Sequence, residues 1–197
     1  MPRTLSDSDI ETFRESLCDV AEELFAAHGP SGVTMRQLAD ALGVSAMTPY
    51  RYFEDKDAIL AAVRARAFNR FADAMEKAQA RLRKKGGHRP DPAYLDFALA
   101  NRAAYRMMFD TDQPTFAKYP ELVAAMERAR ATMTAGWKEL AAEGRFSGDA
   151  ELAGRLMWSA MHGAVMLELA GFLRKPLDAR KLGMAAIEAL AKQIASR

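Results

Sequence analysis

Apolar residues recur at spacings of three and four along nearly the whole chain, and nowhere do they alternate for long. That period places them on one face of a helix, so the chain buries its hydrophobic surface as packed helices, an all-α fold. The first stripe is Ile10, Phe13, Leu17, Val20, Ala21, Leu24 and Phe25, with a capping box from Ser8 to Glu11 at its start and Gly29 as a stop. Thr34 and Gln37 form a second capping box for a short helix carrying Met35, Leu38, Ala39 and Leu42, which Gly43 ends. Asp55 caps a long helix with the stripe Ile59, Leu60, Val63, Ala67, Phe68, Phe71 and Met75, running to about Arg83. RLRKKGGHRPDP then combines charge, glycine and proline and reads as a break and loop. Beyond it, Tyr94–Phe109 reads as a helix and TDQP as a turn. Thr115–Ala142 reads as one long or one broken helix interrupted near Pro120, and Glu151–Leu173 and Asp178–Ser196 follow, giving about nine helices in all.

The 197 residues are half apolar, enough for a substantial core. No apolar run approaches the length of a membrane span, and MPRTLSDSDIETFRE lacks the hydrophobic stretch of a signal peptide, so a cytoplasmic protein with no membrane partner is expected. The single cysteine, Cys18, forms no intrachain disulfide and reads as a small packing residue rather than a redox sensor. His28, His88 and His162 lie far apart without ligand spacing, so no metal and no cofactor are expected. No nucleophile stands near a base in a recognisable pattern and no phosphate loop is present, which argues against an enzyme. The net charge of +2, shared evenly between the halves, does not announce a nucleic-acid partner, so any such assignment rests on local geometry.

That geometry is local to residues 34 to 56. Two short helices joined by LGVS, with Gly43 at the turn and Ser45 as a cap, have the proportions of a helix-turn-helix. The second carries a proline. If it runs from Ala46 to Phe53, Pro49 shares the inner side with Ala46 and Phe53, Met47 and Arg51 point outward, and Thr48 and Tyr50 flank them. In the alternative, Thr48 is the cap and Pro49 the first helical residue, in keeping with the extended bias a proline imposes on its predecessor. Both arrangements present the same outward residues. Arg51 can donate two hydrogen bonds to a guanine edge, Met47 can touch a thymine methyl, and Thr48 a base or a phosphate. Tyr50, Tyr52, Thr34 and Lys56 suit phosphate oxygens, and Arg36, Ser45 and Ala46 complete the candidate DNA-binding set. Packing is the alternative for Tyr50 and Tyr52, and the expected role of Phe53.

AEELFAAHG, TMRQLADALGVS, the aromatic cluster Tyr50, Tyr52 and Phe53, and the helix start Lys56–Leu60 together resemble the DNA-binding domain of the TetR family of bacterial transcriptional regulators over residues 10 to 71. The resemblance implies that Tyr50, Tyr52 and Lys56 hold the DNA backbone while Ala46, Met47 and Thr48 vary with the operator, and that proline takes the place of a common leucine at position 49. Residues 94 to 173 resemble a narrower set with a Trp-x-x-x-His-Gly signature, here Trp158, His162 and Gly163, and a NRAAYRMMF segment at 101 to 109. A DNA-binding domain over 8–68 and an effector-binding, dimerising domain over 69–197 are therefore expected.

One helix-turn-helix offers few base contacts, so specificity calls for two copies roughly 34 to 36 Å apart on a palindromic double-stranded operator, and for a homodimer. Ala153, Leu156, Met157, Ala160, Met161, Gly163, Ala164 and Leu167, with Met184, Ile187, Leu190, Ala191 and Ile194, suit a four-helix packing between two chains, intrachain packing being the alternative. Eight of the twelve methionines lie beyond residue 100, among aromatic residues. A small-molecule effector of apolar or aromatic type would be lined by some of Phe97, Tyr105, Met108, Met126, Met133, Trp137, Trp158, His162 and Met166. Solid core there would instead point to control by a protein partner, and a non-regulatory small-molecule-binding protein is the remaining alternative. His162 reads as structural or as a ligand contact, and Arg102 and Arg106 as partners of an acidic effector or as solvent-facing.

Overall fold

The computed structural model describes residues 6–84, 92–110 and 116–195, the side chains of 116 and 193–195 excepted. Residues 85–91 of the expected loop, His88 among them, the TDQP turn and the side chain of Ile194 lie outside the described residues. Eight α-helices and three short 3₁₀ turns are present among them, and no strand. The helices are α1 (Asp7–His28), α2 (Met35–Ala41), α3 (Lys56–Lys84), α4 (Ala93–Ala100), α5 (Arg102–Met108), α6 (Pro120–Ala142), α7 (Ala150–Leu169) and α8 (Ala179–Ala195).

Local chemistry sets most of these boundaries. The capping box of α1 is Ser6 with Asp9 rather than Ser8 with Glu11: Ser6 Oγ accepts from the Asp9 amide at 3.1 Å and the Asp9 carboxylate accepts from the Ser6 amide at 3.1 Å. Two such patterns overlap in the sequence, and the earlier one extends the helix. Gly29, at φ +70°, ends it. Thr34 and Gln37 cap α2 reciprocally, and Asp55 caps α3 by accepting from the Ala58 amide at 2.7 Å. The helix expected over Tyr94–Phe109 is two helices. Asn101, at φ −119° and ψ 47°, breaks it, and its side-chain amide donates to the Phe97 carbonyl at 2.8 Å.

The chain divides into two compact units. One is Met1–Ala67 with Ala103–Ala125, and its core gathers Leu17, Cys18, Ala21 and Phe25 from α1, Leu38 from α2, Phe53, Ile59, Leu60 and Val63, and Met107 from α5. Burial pushes the Cys18 thiol above its ordinary range, in keeping with a packing residue. Arg64 is buried here as well, with Nη2 donating to the Met108 carbonyl at 2.9 Å at the C-terminal end of α5.

The other unit is Phe68–Arg102 with Met126–Arg197. It joins the second half of α3 to α4, most of α6, α7 and α8. Arg128 on α6 ties to Asp73 and Glu76 on α3 at 2.6 and 2.7 Å. On α7, a Cβ added to Gly154 would lie 2.7 Å from the Met133 carbonyl oxygen and 3.0 Å from Thr134 Cα, so the two backbones meet there. Alanine at Gly154 has no flexible side chain to push aside. Gly154→Ala is expected to force α6 and α7 apart and to destabilise the chain by about 1–3 kcal/mol, read as a lower thermal midpoint. A midpoint that does not fall would mean the helices separate without loss.

Candidate nucleic-acid interface and ligand cavity

The segment after α2 is not an α-helix. Its backbone makes successive tight turns, Thr48 N–H to the Ser45 carbonyl at 2.8 Å, Arg51 N–H to the Thr48 carbonyl at 3.1 Å, and Tyr52 and Phe53 N–H to the Pro49 carbonyl at 3.0 Å, with a 3₁₀ turn over Pro49–Arg51. Proline explains this, because it brings no N–H to extend the ladder from Ser45. Pro49 is thus the first residue of the turn and Thr48 precedes it, yet Thr48 is right-handed (φ −62°, ψ −47°) rather than extended. Its hydroxyl meets Ser45 Oγ at 2.9 Å.

Pro49 and Phe53 are buried, and they seat the segment on its unit. Arg14 on α1 locks the far end, with Nη1 donating to the Tyr52 carbonyl at 2.6 Å and the guanidinium 4.1 Å from the centre of the Phe53 ring. The sequence carries no local signal for Arg14, since the contact spans 38 residues. What faces outward is Ala46, Met47 (69% exposed), Tyr50 (48%) and Arg51, flanked by Ser45.

The other candidate DNA contacts divide. Thr34 is exposed beside the N-terminal amides of α2, and Arg36 is exposed with only a 3.9 Å approach to Asp40. Tyr52 stacks on Phe13, ring centres 4.2 Å apart, so its ring belongs to the packing. Lys56 Nζ donates to the Pro30 carbonyl at 2.7 Å and the Val33 carbonyl at 2.9 Å, pinning the loop between α1 and α2 to the start of α3. Two of its three donors are therefore committed within the protein.

In the second unit a cavity of about 220 Å³ opens between α3, α4, α6, α7 and α8. Met75, Ala78, Gln79, Leu82 and Arg83 come from α3, and Thr132, Met133, Gly136, Trp137, Glu139 and Leu140 from α6. Ala93, Tyr94, Met157, Met161, Ile187 and Ala191 complete the wall. Of the residues expected to line a pocket, Met133 and Trp137 do so. Trp158 stands behind the wall, its indole donating to the Tyr94 hydroxyl at 3.0 Å. Phe97 packs edge-on to Phe71, and Met126, His162 and Met166 do not reach the cavity, while Tyr105 and Met108 are buried in the other unit. Burial holds the His162 imidazole below its ordinary range. Arg102 pairs with Glu168 at 2.6 Å, away from the cavity.

Of the residues expected at a dimer contact, Ala153, Met157, Ala164 and Ile187 are buried within the single chain, and Ala160 and Leu190 are half-buried. Leu167 is exposed. It belongs to a stripe on α7 in which Leu152, Leu156, Met166 and Leu167 remain 37–55% exposed, followed by Phe172 at 75%. Among the described residues no helix is long and apolar enough to cross a membrane, and no cluster of His, Cys, Asp and Glu is placed to hold a metal.

Comparison with known proteins bears on both ends of the chain. Residues 92–190 match the family described as tetracyclin repressor-like, C-terminal domain, and residues 17–63 match bacterial regulatory proteins of the tetR family. A protein of unknown function from Rhodococcus sp. RHA1 superposes with a TM-score of 0.78 at 24% identity, covering 99% of each chain. PfmR, a TetR family transcriptional regulator from Thermus thermophilus, superposes at 0.62 with 21% identity over 89% of this chain and 97% of its own. FadR from Bacillus subtilis, in complex with stearoyl-CoA, superposes at 0.69 with 16% identity over 89% of this chain and 96% of its own. At these identities the likeness is one of fold. No curated protein matches the chain.

Proposed function

The chain belongs to the TetR family of bacterial regulatory proteins, and from that premise we propose that it is a homodimeric repressor, released from a palindromic operator by a small apolar or aromatic molecule. The observation that carries the reading is the outward edge Met47, Tyr50 and Arg51, backed by the buried Pro49 and Phe53. A seated, exposed set of one arginine, one tyrosine and one methionine has the chemistry to read base edges and touch phosphate.

The cavity supports the effector half of the proposal, because solid core would have left no room there. Coupling runs along α3, one continuous helix whose first residues belong to the reading unit and whose second half lines the cavity. A hundredfold release of DNA requires the effector to favour the non-binding shape by about 2.7 kcal/mol, within reach of a few well-packed apolar contacts. Selection of binding sites from random DNA with the purified protein tests the whole proposal. Two half-sites related by a twofold axis are expected, and recovery of no sequence at all would refute it.

Lys56 acts in this scheme mainly as a brace. Lys56→Met removes two hydrogen bonds from a charged donor and is expected to lower stability by about 2 kcal/mol, seen in chemical denaturation, and to weaken operator and scrambled DNA alike. Unchanged stability with a salt dependence reduced by about one ion per site would place the ammonium on phosphate instead.

A further inference from the structure

Resting on the proposal that the cavity is the effector site, we infer that it selects an uncharged molecule of about bicyclic size with one hydroxyl or amide group, and rejects carboxylates and long acyl thioesters. Three observations converge on this class. First, the wall is dominated by methionine, leucine, alanine and the Trp137 ring, which offer an ion nothing in return for its lost hydration. Second, the two charged residues of the wall cancel each other: Arg83 Nε donates to Glu139 Oε2 at 3.0 Å and Arg83 Nη2 donates to Glu139 Oε1, so the guanidinium fork is already filled by a carboxylate. An anionic ligand that approaches Arg83 finds this side of the guanidinium occupied and meets the Glu139 charge beside it. Third, the wall also carries neutral polarity. Gln79 Nε2 donates to the Thr132 carbonyl at 2.6 Å, which fixes the amide plane and leaves an acceptor oxygen and a second N–H for a ligand.

Size points the same way. About 220 Å³ falls below the roughly 300–1,000 Å³ usual for ligand clefts, which encloses a two-ring molecule but not the whole of an extended acyl chain.

Calorimetric titration of the full-length protein at neutral pH with 2-naphthol, 2-methoxynaphthalene, 2-naphthoate and stearoyl-CoA tests the inference. The naphthol is expected to bind at least tenfold more tightly than the naphthoate and more tightly than the methyl ether, with no heat from stearoyl-CoA. Gln79→Leu should erase the advantage of the naphthol over its ether. Gly136→Phe should abolish binding of both, since a Cβ at Gly136 meets nothing within 4 Å and the ring has room to enter the cavity. Circular dichroism confirms that each variant is folded. Naphthoate binding as tightly as naphthol, stearoyl-CoA binding that Gly136→Phe abolishes, or no binding by any probe would overturn the ligand class. The first two of these results leave the cavity standing as the effector site. Naphthol binding that Gly136→Phe leaves untouched would remove the cavity from the effector reading altogether.

Discussion

Arg51→Ala is expected to cost operator affinity at both half-sites while barely changing affinity for scrambled DNA. A bidentate arginine–guanine contact discriminates by about 1–3 kcal/mol, so two copies lose about 2–6 kcal/mol, a fall of roughly 30-fold or more. The geometry makes the effect clean, because Arg51 is exposed at the end of the Pro49–Arg51 turn and its removal disturbs no core contact. The segment is held from behind by Pro49, Phe53 and Arg14, none of which changes. Titrations on the selected operator and on a scrambled duplex, at two salt concentrations, measure the result. Equal losses on both duplexes would show that Arg51 binds phosphate rather than a base.

The outward residues of this segment are legible in the sequence, because both placements of Pro49 put Met47 and Arg51 on the same side. Its backbone is not. Whether a missing N–H yields an α-helix or a run of tight turns depends on how the Ser45, Thr48 and Pro49 carbonyls are satisfied, which periodicity does not report. The core stripe of α3 is legible for the opposite reason: Ile59, Leu60, Val63, Ala67, Phe68, Phe71 and Met75 keep helical period, and all are buried. Contacts across long stretches of sequence escape. Lys56 reaches carbonyls 26 and 23 residues away, and the Tyr52 ring finds Phe13, so two residues with the chemistry of phosphate contacts are engaged within the protein.

The second unit shows the same limit on a larger scale. α7 is apolar on more than one face, and composition does not say which face meets α6, which lines a void and which looks outward. Gly154 and Thr134 settle the first by backbone approach, and Met157 and Met161 turn to the cavity. A cavity is in any case a matter of what the surrounding side chains fail to fill. Gln79, Arg83 and Glu139, which define its polarity, read in sequence as ordinary surface residues of amphipathic helices.

The remaining face of α7 leads to the other large effect, expected from Leu156→Glu. Leu152, Leu156, Met166 and Leu167 follow helical spacing and leave a long apolar stripe uncovered, the mark of an interaction surface. A twofold contact of this stripe with its own copy is self-complementary, so one substitution enters the interface twice. A glutamate at position 156 then sets two carboxylates into an apolar contact. The proposed homodimer is then expected to dissociate to monomers at micromolar concentration, seen by sedimentation. Operator affinity should fall by about 10²–10⁴, the advantage lost when the second half-site must be bound as an independent event. Stability of the single chain should change little, because Leu156 is already 41% exposed, whereas its neighbours Ala153 and Met157 are buried. That contrast separates loss of pairing from loss of fold. A variant that still sediments as a dimer and still binds its operator would move the twofold axis to another face, and Leu190 on α8 would be the next position to probe.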